Sequence, residues 1–229
     1  MDIRKEYNDF ILNNGNLMYL DTSEIKNFNR YQKFFSNVNI KYYDLSNADN
    51  ISYLFYNRDL RKMNLSLLNT SNVTKAEGTF MKSKFTCSID DWNVSKLKNA
   101  KSMFEESAFN CSLSKWDVKN IIDASSMFSK SDNEKLNLNE WDFGNCEDIS
   151  GIFSESVCNI KYLDLNRCIT FNGAFESCLI YSFSMYLDTS NVKTMYYTFS
   201  GSFSENDLNI KFWDMSNCKN KYIYPLPKV

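Results

Sequence analysis

The sequence predicts an α/β solenoid, a stack of about eight coils of roughly 24 residues, each holding one short parallel strand and one short helix. Three observations predict this class. A large residue before Asp or Asn recurs at a nearly constant interval, a phenylalanine follows it at a fixed distance, and apolar residues alternate just before it. A unit of this length cannot bury its apolar face alone, so each coil is expected to depend on its neighbours.

The large residues that precede Asp or Asn form a first column, here called the anchors. They are separated by 22 to 26 residues and lie at Tyr43, Leu68, Trp92, Trp116, Trp141, Leu163, Leu187 and Trp213. A phenylalanine lies twelve residues after each of the first seven anchors, at Phe55, Phe80, Phe104, Phe128, Phe153, Phe175 and Phe199. The two columns give one register, and a degenerate earlier copy begins at Leu20.

A short helix is predicted between each anchor and its phenylalanine. Apolar residues such as Leu97, Ala100, Met103 and Phe104 follow one another at intervals typical of one helical face. Serine commonly stands three residues after the anchor, where an N-cap would stabilise the helix by about 1 kcal/mol. The predicted N-caps are Ser46, Ser71, Ser95, Ser190 and Ser216.

A short strand with one buried face is predicted just before each anchor, because apolar residues alternate there with polar ones. The buried pairs are Val38/Ile40, Met63/Leu65, Cys87/Ile89, Cys111/Leu113, Leu136/Leu138, Cys158/Ile160 and Leu208/Ile210. Before Leu187 the apolar residues Tyr181, Phe183 and Met185 fall in the opposite phase. The sequence therefore predicts a slipped strand or an irregular coil at that point.

The whole chain is predicted to be a single domain, residues 1–229, with a cap at each end because solenoids need capped ends. A cap helix is expected at residues 1–20, with Ile3, Tyr7, Phe10 and Ile11 on one face. The repeats occupy residues 20–218. In the tail, residues 219–229, Pro225 and Pro227 forbid another helix, and apolar side chains are expected to cover the last coil: Tyr222, Ile223, Tyr224 and Leu226.

Several copies resemble the repeat of the BspA-like leucine-rich repeat family, W-D-V-S-x-V-x-x-M-x-x-M-F followed by F-N-x-x-L. The similar segments are SKWDVKNIIDASSMF, LDTSNVKTMYYTF, WNVSKLKNAKSMF and SAFNCSLSKW, and the resemblance extends over about residues 38–218. It implies a leucine-rich-repeat solenoid without shared catalytic residues. Members of that family are adhesion and host-binding proteins on bacterial surfaces, and related repeats occur in bacteria of low G+C content, their phages and some protists.

Composition argues against several classes of function. The net charge of −2 favours neither nucleic acid nor an anionic membrane as partner. With no histidine in the chain, Ser-His-Asp and Cys-His nucleophiles are excluded. No signal peptide is evident, and no segment approaches the roughly 18 apolar residues that a membrane span needs. We therefore expect a protein of the cytoplasm or of a virion that is not inserted in a membrane.

The residue that follows each anchor is acidic or amidic. A catalytic pair needs two particular carboxylates in different environments, whereas a residue repeated in every coil is typical of a turn. We therefore expect these side chains to bond nearby backbone amides: Asp44, Asn69, Asn93, Asp117, Asp142, Asp164, Asp188 and Asp214. The glycines form no phosphate-binding motif.

Seven cysteines also fall into repeat positions, and their spacing suits neither a disulfide framework nor a zinc site. We expect buried thiols in a reducing compartment, with no metal and no cofactor. Cys87, Cys111 and Cys158 share a strand position, and Cys146, Cys168 and Cys218 share the first apolar helix position. Cys178 occupies a position for small residues that other copies fill with Ser83, Ser107, Ser131, Ser156 and Ser202.

The predicted function is that of a non-enzymatic scaffold that binds another protein through the solenoid surface. The expected contact residues point outward from the strands: Asn39, Lys41, Asn64, Ser66, Ser88, Asp90, Ser112, Ser114, Asn137, Asn139, Asn159, Lys161, Asn209 and Lys211. The same residues could instead be a solvated polar ladder that supports the sheet. The aromatic segment 179–187 is a second candidate surface, or a slipped core strand. The alternative function is a structural or adhesin-like subunit of a bacterial surface or of a phage or viral particle, with self-assembly possible.

Overall fold

The computed structural model describes residues 22–31, 44–86, 89–133, 136, 138, 140–160, 166–183, 189–204 and 213–219. Within these ranges there are two short 3-10 helices, Phe28–Tyr31 and Leu65–Leu67, and five short strands. The strands are β1 (Lys84–Phe85), β2 (Ala108–Phe109), β3 (Val157–Ile160), β4 (Leu179–Phe183) and β5 (Phe203–Ser204). No α-helix occurs in the described ranges. The predicted α/β class, a leucine-rich-repeat solenoid with one helix per coil, is therefore wrong, and the predicted end caps lie outside the described residues.

Successive coils nevertheless pair in parallel. β1 pairs with β2, and β4 lies between β3 and β5 in a second sheet whose pairings are all parallel. Single parallel bridges also join each coil to the next along one column, here called the bridge column: Asn27, Asn50, Lys75, Asn99, Asp123, Asp148, Thr170 and Thr194. The repeat units are thus layers of one stack, joined through their backbones.

Consecutive tight turns take the place of the predicted helix. Around Phe80, the amide of Thr79 donates to the carbonyl of Ala76 at 3.2 Å, and the amide of Met81 to that of Gly78 at 3.1 Å. The alternate amides point to the next coil instead, as the amide of Phe80 does to the carbonyl of Met103 at 2.8 Å. An α-helix would direct all of these amides to the residue four positions earlier, so the inter-coil bonds replace the helical ones.

These turns require left-handed backbone at fixed positions. Positive φ occurs two residues before each phenylalanine of the column, at Tyr53, Gly78, Ser102, Ser126, Gly151, Gly173 and Tyr197. It occurs again two residues after it, at Asn57, Lys82, Glu106, Lys130, Glu155, Ser177 and Gly201. A turn of type II needs positive φ at its third residue, which an α-helix never supplies. Three of the four glycines with positive φ, Gly78, Gly151 and Gly173, share the first of these positions.

The predicted N-cap serines begin no helix. Ser46 and Ser95 lie inside tight turns, closed by the bonds Ala48 N–H to Leu45 O and Leu97 N–H to Val94 O, both 2.9 Å. The side chain two residues earlier accepts the serine amide: Asp44 Oδ1 at 2.8 Å, Asn69 Oδ1 at 3.1 Å, Asn93 Oδ1 at 3.1 Å and Asp214 Oδ1 at 2.9 Å. Asp117 and Asp142 accept amides of Lys119 and Gly144 in the same way, at 3.4 and 2.7 Å. The turn role predicted for this column is confirmed for these six residues, while Asp164 and Asp188 lie outside the described residues.

The phenylalanine column forms one continuous spine inside the stack. All seven rings are fully buried, and the centroids of successive rings are 5.3, 5.5, 5.4, 5.7, 5.6 and 5.3 Å apart. The anchors Trp92, Trp116 and Trp141 stack beside it, and each indole N–H donates at 2.9 Å to a carbonyl of the preceding coil. Neighbouring coils therefore bury one another's aromatic rings, as the register implies.

The strands lie nearer to the phenylalanine column than predicted. Leu65, Ile89, Leu113 and Leu138 are buried as expected, but β1 and β2 end before the predicted pairs Cys87/Ile89 and Cys111/Leu113. One predicted pair, Cys158/Ile160, lies within β3, whereas Leu65 lies in a 3-10 helix. Consecutive turns bury one residue in every two or three. This spacing resembles that of a helical face, so the sequence pattern placed the strand boundaries too late.

The break of phase before Leu187 is a slip in strand register. Cys158 pairs with Ile180, but Asn159 pairs with Ser182, so β4 holds one additional residue, Tyr181, opposite no partner in β3. Such a bulge turns every following side chain to the other face of the strand. The sequence left open a slipped strand or an irregular coil, and the structure shows the slip.

The buried-thiol prediction is confirmed for the cysteines whose side chains the structure describes. Cys111, Cys146, Cys168, Cys178 and Cys218 are free thiols with at most 5% of their surface exposed. Burial raises the pKa of Cys146 far above its ordinary value and that of Cys168 to about 12. These thiols are therefore neutral fillers of the core.

Candidate functional site

Six of the outward-pointing residues predicted from the sequence lie within the described ranges. Asn64, Ser66, Ser112 and Ser114 are exposed, Asp90 is half-buried, and Asn159 belongs to β3. The others lie outside the described residues: Asn39, Lys41, Ser88, Asn137, Asn139, Lys161, Asn209 and Lys211. We call the surface formed by the exposed residues between each phenylalanine and the next anchor the outward face.

Several of these polar side chains make local hydrogen bonds. Asn64 Oδ1 accepts the amide of Ser66 at 3.1 Å and its hydroxyl at 2.7 Å. The hydroxyl of Ser112 lies 3.0 Å from that of Ser114 and accepts the amide of Ser114 at 3.2 Å. These bonds shape the turns that precede the anchors, which matches the supporting role that the sequence left open. Their role in binding a partner stays a prediction.

A groove opens on the same face beside β1 and β2, and sequence reasoning missed it. Its volume is about 360 Å³, and its walls are Arg61, Lys84, Phe85, Thr86, Ala108, Phe109, Asn110 and Asp132. This volume falls in the lower part of the range found for ligand pockets.

The shape of the groove follows from one small residue between two charged ones. Asp59 bridges to Lys84, Lys84 pairs with Ala108, and Ala108 bridges to Asp132, all in parallel. Ala108 therefore leaves a gap between the charged side chains of the coils on either side. The gap is about 10 Å long, two coil spacings of roughly 4.8 Å. The alanine between Lys84 and Asp132 at this repeat position was the signal that could have revealed the groove.

The floor of the groove is aromatic and rigid. Phe85 and Phe109 are buried and stack on each other with ring centroids 5.1 Å apart. Both rings also contact the spine, since each lies within 6.3 Å of Phe104. A ligand in the groove would thus meet a fixed apolar base with charged groups at its two ends.

The two ends of the groove carry opposite charge. Arg61 and Lys84 lie at one end, where Arg61 Nε donates to Asp59 Oδ1 at 2.9 Å. The hydrogen bonds from Arg61 hold the pKa of Asp59 well below its usual range, and Asp59 raises the pKa of Arg61. Asp59 thus neutralises one of the two cations. Asp132 forms the acidic end, so the groove has a positive and a negative terminus.

Several other charged side chains form ion pairs between neighbouring coils. The ion pairs Lys82–Glu106 and Lys130–Glu155 join neighbouring coils at 3.5 and 3.2 Å, and Lys115–Asp91 does so at 2.8 Å. Hydrogen bonding to these carboxylates raises the pKa of Lys115 and of Lys130. Exposed pairs of this kind contribute roughly 0–1 kcal/mol each, so they are surface ties between coils.

Tyr53 has a raised pKa and links two coils. Burial, reinforced by its hydrogen bond to Glu77 Oε1 at 2.8 Å, raises the pKa of Tyr53 to about 12. Its ring lies against Gly78 of the next coil. The hydroxyl therefore stays protonated and joins two coils.

Two further features are absent from the described part of the chain. No three His, Cys, Asp or Glu residues there are grouped so as to hold a metal ion. None of its helices has the length and apolar character required to traverse a bilayer.

Comparison with known proteins gives one family. Neither the curated proteins nor the solved structures contain a match to this chain. The model of a family described as "Mycoplasma protein of unknown function, DUF285" matches residues 2–84, 20–141, 58–165 and 147–223. The matches overlap, as expected when a family model can align with a repeated sequence in several registers, and together they span nearly the whole chain. The chain therefore belongs to the DUF285 family.

Proposed function

We propose that this protein is a non-enzymatic scaffold that binds another protein through its outward face. The observation that carries the proposal is the groove beside β1 and β2, with its aromatic floor and its oppositely charged ends. Interfaces combine a buried apolar centre with polar groups around it, and the groove offers this combination on a small scale.

The distribution of hydrogen bonds supports a binding role over catalysis. Asp and Asn side chains at the repeated turn positions accept backbone amides, as Asp44 and Asp142 do, and are thereby committed to the fold. The described cysteine side chains are buried in the core, and burial raises the pKa of Cys146 and of Cys168. A general acid or base needs an accessible group with a pKa near the working pH, and we assign no such role to these residues.

The rigidity of the stack also favours binding. The spine and the inter-coil hydrogen bonds hold Lys84, Ala108 and Asp132 on consecutive layers, so the spacing of the charged ends is fixed before a partner arrives. Preorganisation of this kind lowers the cost of ordering an interface. The resemblance to BspA-like repeats, whose members include adhesion and host-binding proteins, agrees with this proposal.

Site-specific photo-crosslinking tests the proposal. A benzophenone amino acid placed at Thr86 or Ser112, both exposed on the outward face, should crosslink to a discrete partner in a lysate of the source cell. The same group at Lys98, which is exposed but lies outside the outward face, is the matched control. Equal crosslinking from all three sites, or none from the outward face, would contradict the assignment.

The alternative, a self-assembling structural or adhesin-like subunit, makes a different prediction. Crosslinks from the outward face would then join two copies of this chain. Size-exclusion chromatography with light scattering would show a mass that rises with concentration. A single species with the 26.9 kDa mass of one chain would argue against this alternative.

A further inference from the structure

Two exposed charges at the ends of the groove lack ion-pair partners. Lys84 and Asp132 form no ion pair with any residue that the structure describes, whereas Lys82, Lys115 and Lys130 are each paired with a carboxylate of a neighbouring coil. Both are exposed. Ala108 separates them in the column, so each has a gap and no opposite charge on the side of Ala108, while Asp59 of the preceding coil lies on the other side of Lys84.

Lys84 and Asp132 are too far apart to form an ion pair with each other. Two coil spacings place their backbones about 10 Å apart, where two unit charges in water attract by only about 0.4 kcal/mol. A ligand with opposite charges at a similar separation would gain both contacts without disturbing an existing pair.

We propose that the groove binds an extended segment of a partner protein, with an acidic side chain against Lys84 and a basic side chain against Asp132. This rests on the proposed protein-binding function and specifies the chemistry of the partner. In an extended chain, residues i and i+2 point to the same side and lie about 7 Å apart. Long side chains such as Glu and Arg cover the remaining distance to the two ends.

The other groove residues fit such a segment. Thr86 and Asn110 are exposed beside the gap and supply a hydroxyl and an amide for the backbone of an extended chain. Phe85 and Phe109 form an apolar floor beneath the side-chain stems. Asp132 repels phosphate, so a nucleic acid is a poorer fit than a peptide.

Two capped peptides of identical composition provide the test. In the first, Glu and Arg stand two residues apart in a Thr-rich extended sequence, so both point to one side. In the second they are adjacent and point to opposite sides. Binding of each labelled peptide to the full chain is measured by fluorescence anisotropy, and the first peptide should bind at least about fivefold more tightly.

Variants of the groove identify the site. Lys84→Met and Asp132→Asn should each weaken binding of the first peptide about three- to fivefold, which corresponds to the upper part of the range for exposed ion pairs. Ala108→Tyr fills the gap while keeping both charges, and should weaken binding at least tenfold. Ile122→Tyr, at an exposed residue between an anchor and its phenylalanine and therefore outside the outward face, is the control and should leave binding unchanged. Circular dichroism of each variant verifies folding.

The outcomes separate this inference from the proposed function. Unchanged binding to Ala108→Tyr, or equal loss with Ile122→Tyr, would overturn the groove as the site. Equal binding of the two peptides, or no binding of either, would overturn the charge arrangement. In those cases crosslinking from Ser112 to a partner can still succeed, so the crosslinking experiment tests the binding role of the outward face separately from the peptide experiment.

Discussion

Phe104 shows how one residue depends on the stack. Its ring lies between Phe80 and Phe128, with centroids 5.5 and 5.4 Å away, and the side chain is fully buried. Replacement by Ala should lower the free energy of unfolding by about 3–5 kcal/mol, because it leaves a cavity between two rings that cannot approach each other. Urea denaturation measures the loss. Tyr197→Ala, at a residue that is 50% exposed, should cost far less, and an equal cost would contradict the importance of the spine.

Gly78 combines a positive φ with a neighbour in close contact. A Cβ at this position would lie 2.4 Å from Cε1 of Tyr53, whereas at Gly151, which also has positive φ, the nearest atom is Ser126 Oγ at 3.2 Å. Gly151→Ala should cost about 1–2 kcal/mol from the left-handed backbone alone. Gly78→Ala should cost distinctly more.

The additional cost of Gly78→Ala, compared with Gly151→Ala, should disappear when Tyr53 is also replaced by Ala. The new methyl group clashes with the Tyr53 ring, and the double variant removes that ring. Thermal unfolding of the two single variants and the double variant would show this as a non-additive effect. Additive costs would mean that the ring moves aside freely.

The core thiols should be chemically protected. At pH 8 iodoacetamide should not modify Cys146 or Cys168 in the folded chain but should modify both in urea, since burial disfavours their thiolates. Peptide mass mapping identifies each site. The pKa of these thiols is higher in the folded chain than in the unfolded chain, so folding favours the neutral thiol. The stability linked to this difference is fully present below pH 9 and is lost as the pH rises towards 12. Rapid modification of Cys168 in the folded state would contradict its burial.

The asparagine column connects one coil to the next at the level of the turn. The side-chain amides of Asn72, Asn120, Asn145, Asn191 and Asn217 each donate to a backbone carbonyl of the preceding coil at 2.6–2.8 Å. Lys96 occupies this position in its own coil and reaches Asn72 Oδ1 instead. Lys96→Asn should therefore restore the backbone link to Ser71 and stabilise the chain by about 0.5–1 kcal/mol in urea denaturation.

Lys98→Asn is the control for this prediction. Lys98 is exposed two residues further on, and its side chain makes no hydrogen bond among the described residues. Its replacement should leave the unfolding midpoint unchanged. A similar gain from both substitutions would indicate an effect of removing positive charge and not of the restored bond.

The repeat register, the aromatic spine and the turn role of the Asp and Asn column could be predicted from the sequence, because each depends on which residues recur. The local backbone could not be predicted in the same way. Leu97, Ala100 and Met103 are three residues apart both on a helical face and in consecutive turns, so spacing does not distinguish the two. The glycines Gly78, Gly151 and Gly173, at one repeat position, were the signal against a helix.

The candidate site was only partly predictable. Sequence alternation placed the outward residues near the anchors, and five of them are exposed or half-buried: Asn64, Ser66, Asp90, Ser112 and Ser114. The groove lies a few residues earlier because the strands begin earlier than expected, and it depends on the absence of a side chain at Ala108. A gap produced by a small residue between two larger ones appears only when neighbouring coils are placed side by side.

At the scale of the whole molecule, the unit of stability is one coil and its contacts with two neighbours. Deletion of residues 92–115, a full unit from one Trp anchor to the residue before the next, should leave a folded chain in which Phe80 stacks on Phe128. Deletion of residues 92–103 removes half a unit and should abolish cooperative unfolding, because the remaining residues lose their register with both neighbours.

Circular dichroism melts and size-exclusion chromatography would distinguish the two deletions. The full-unit deletion should keep a cooperative melt and a compact elution volume. If both deletions unfold the chain, the coils are not interchangeable layers.

The small side chain of Ala108 has a consequence for how such proteins diverge. Each coil contributes one side chain to the column that contains Lys84, Ala108 and Asp132, and the backbone hydrogen bonds that join the coils do not depend on which side chain that is. A single codon change there can open, close or relocate a recess while the buried rings stay as they are. Affinity for a new target can thus evolve one layer at a time, with little risk to folding.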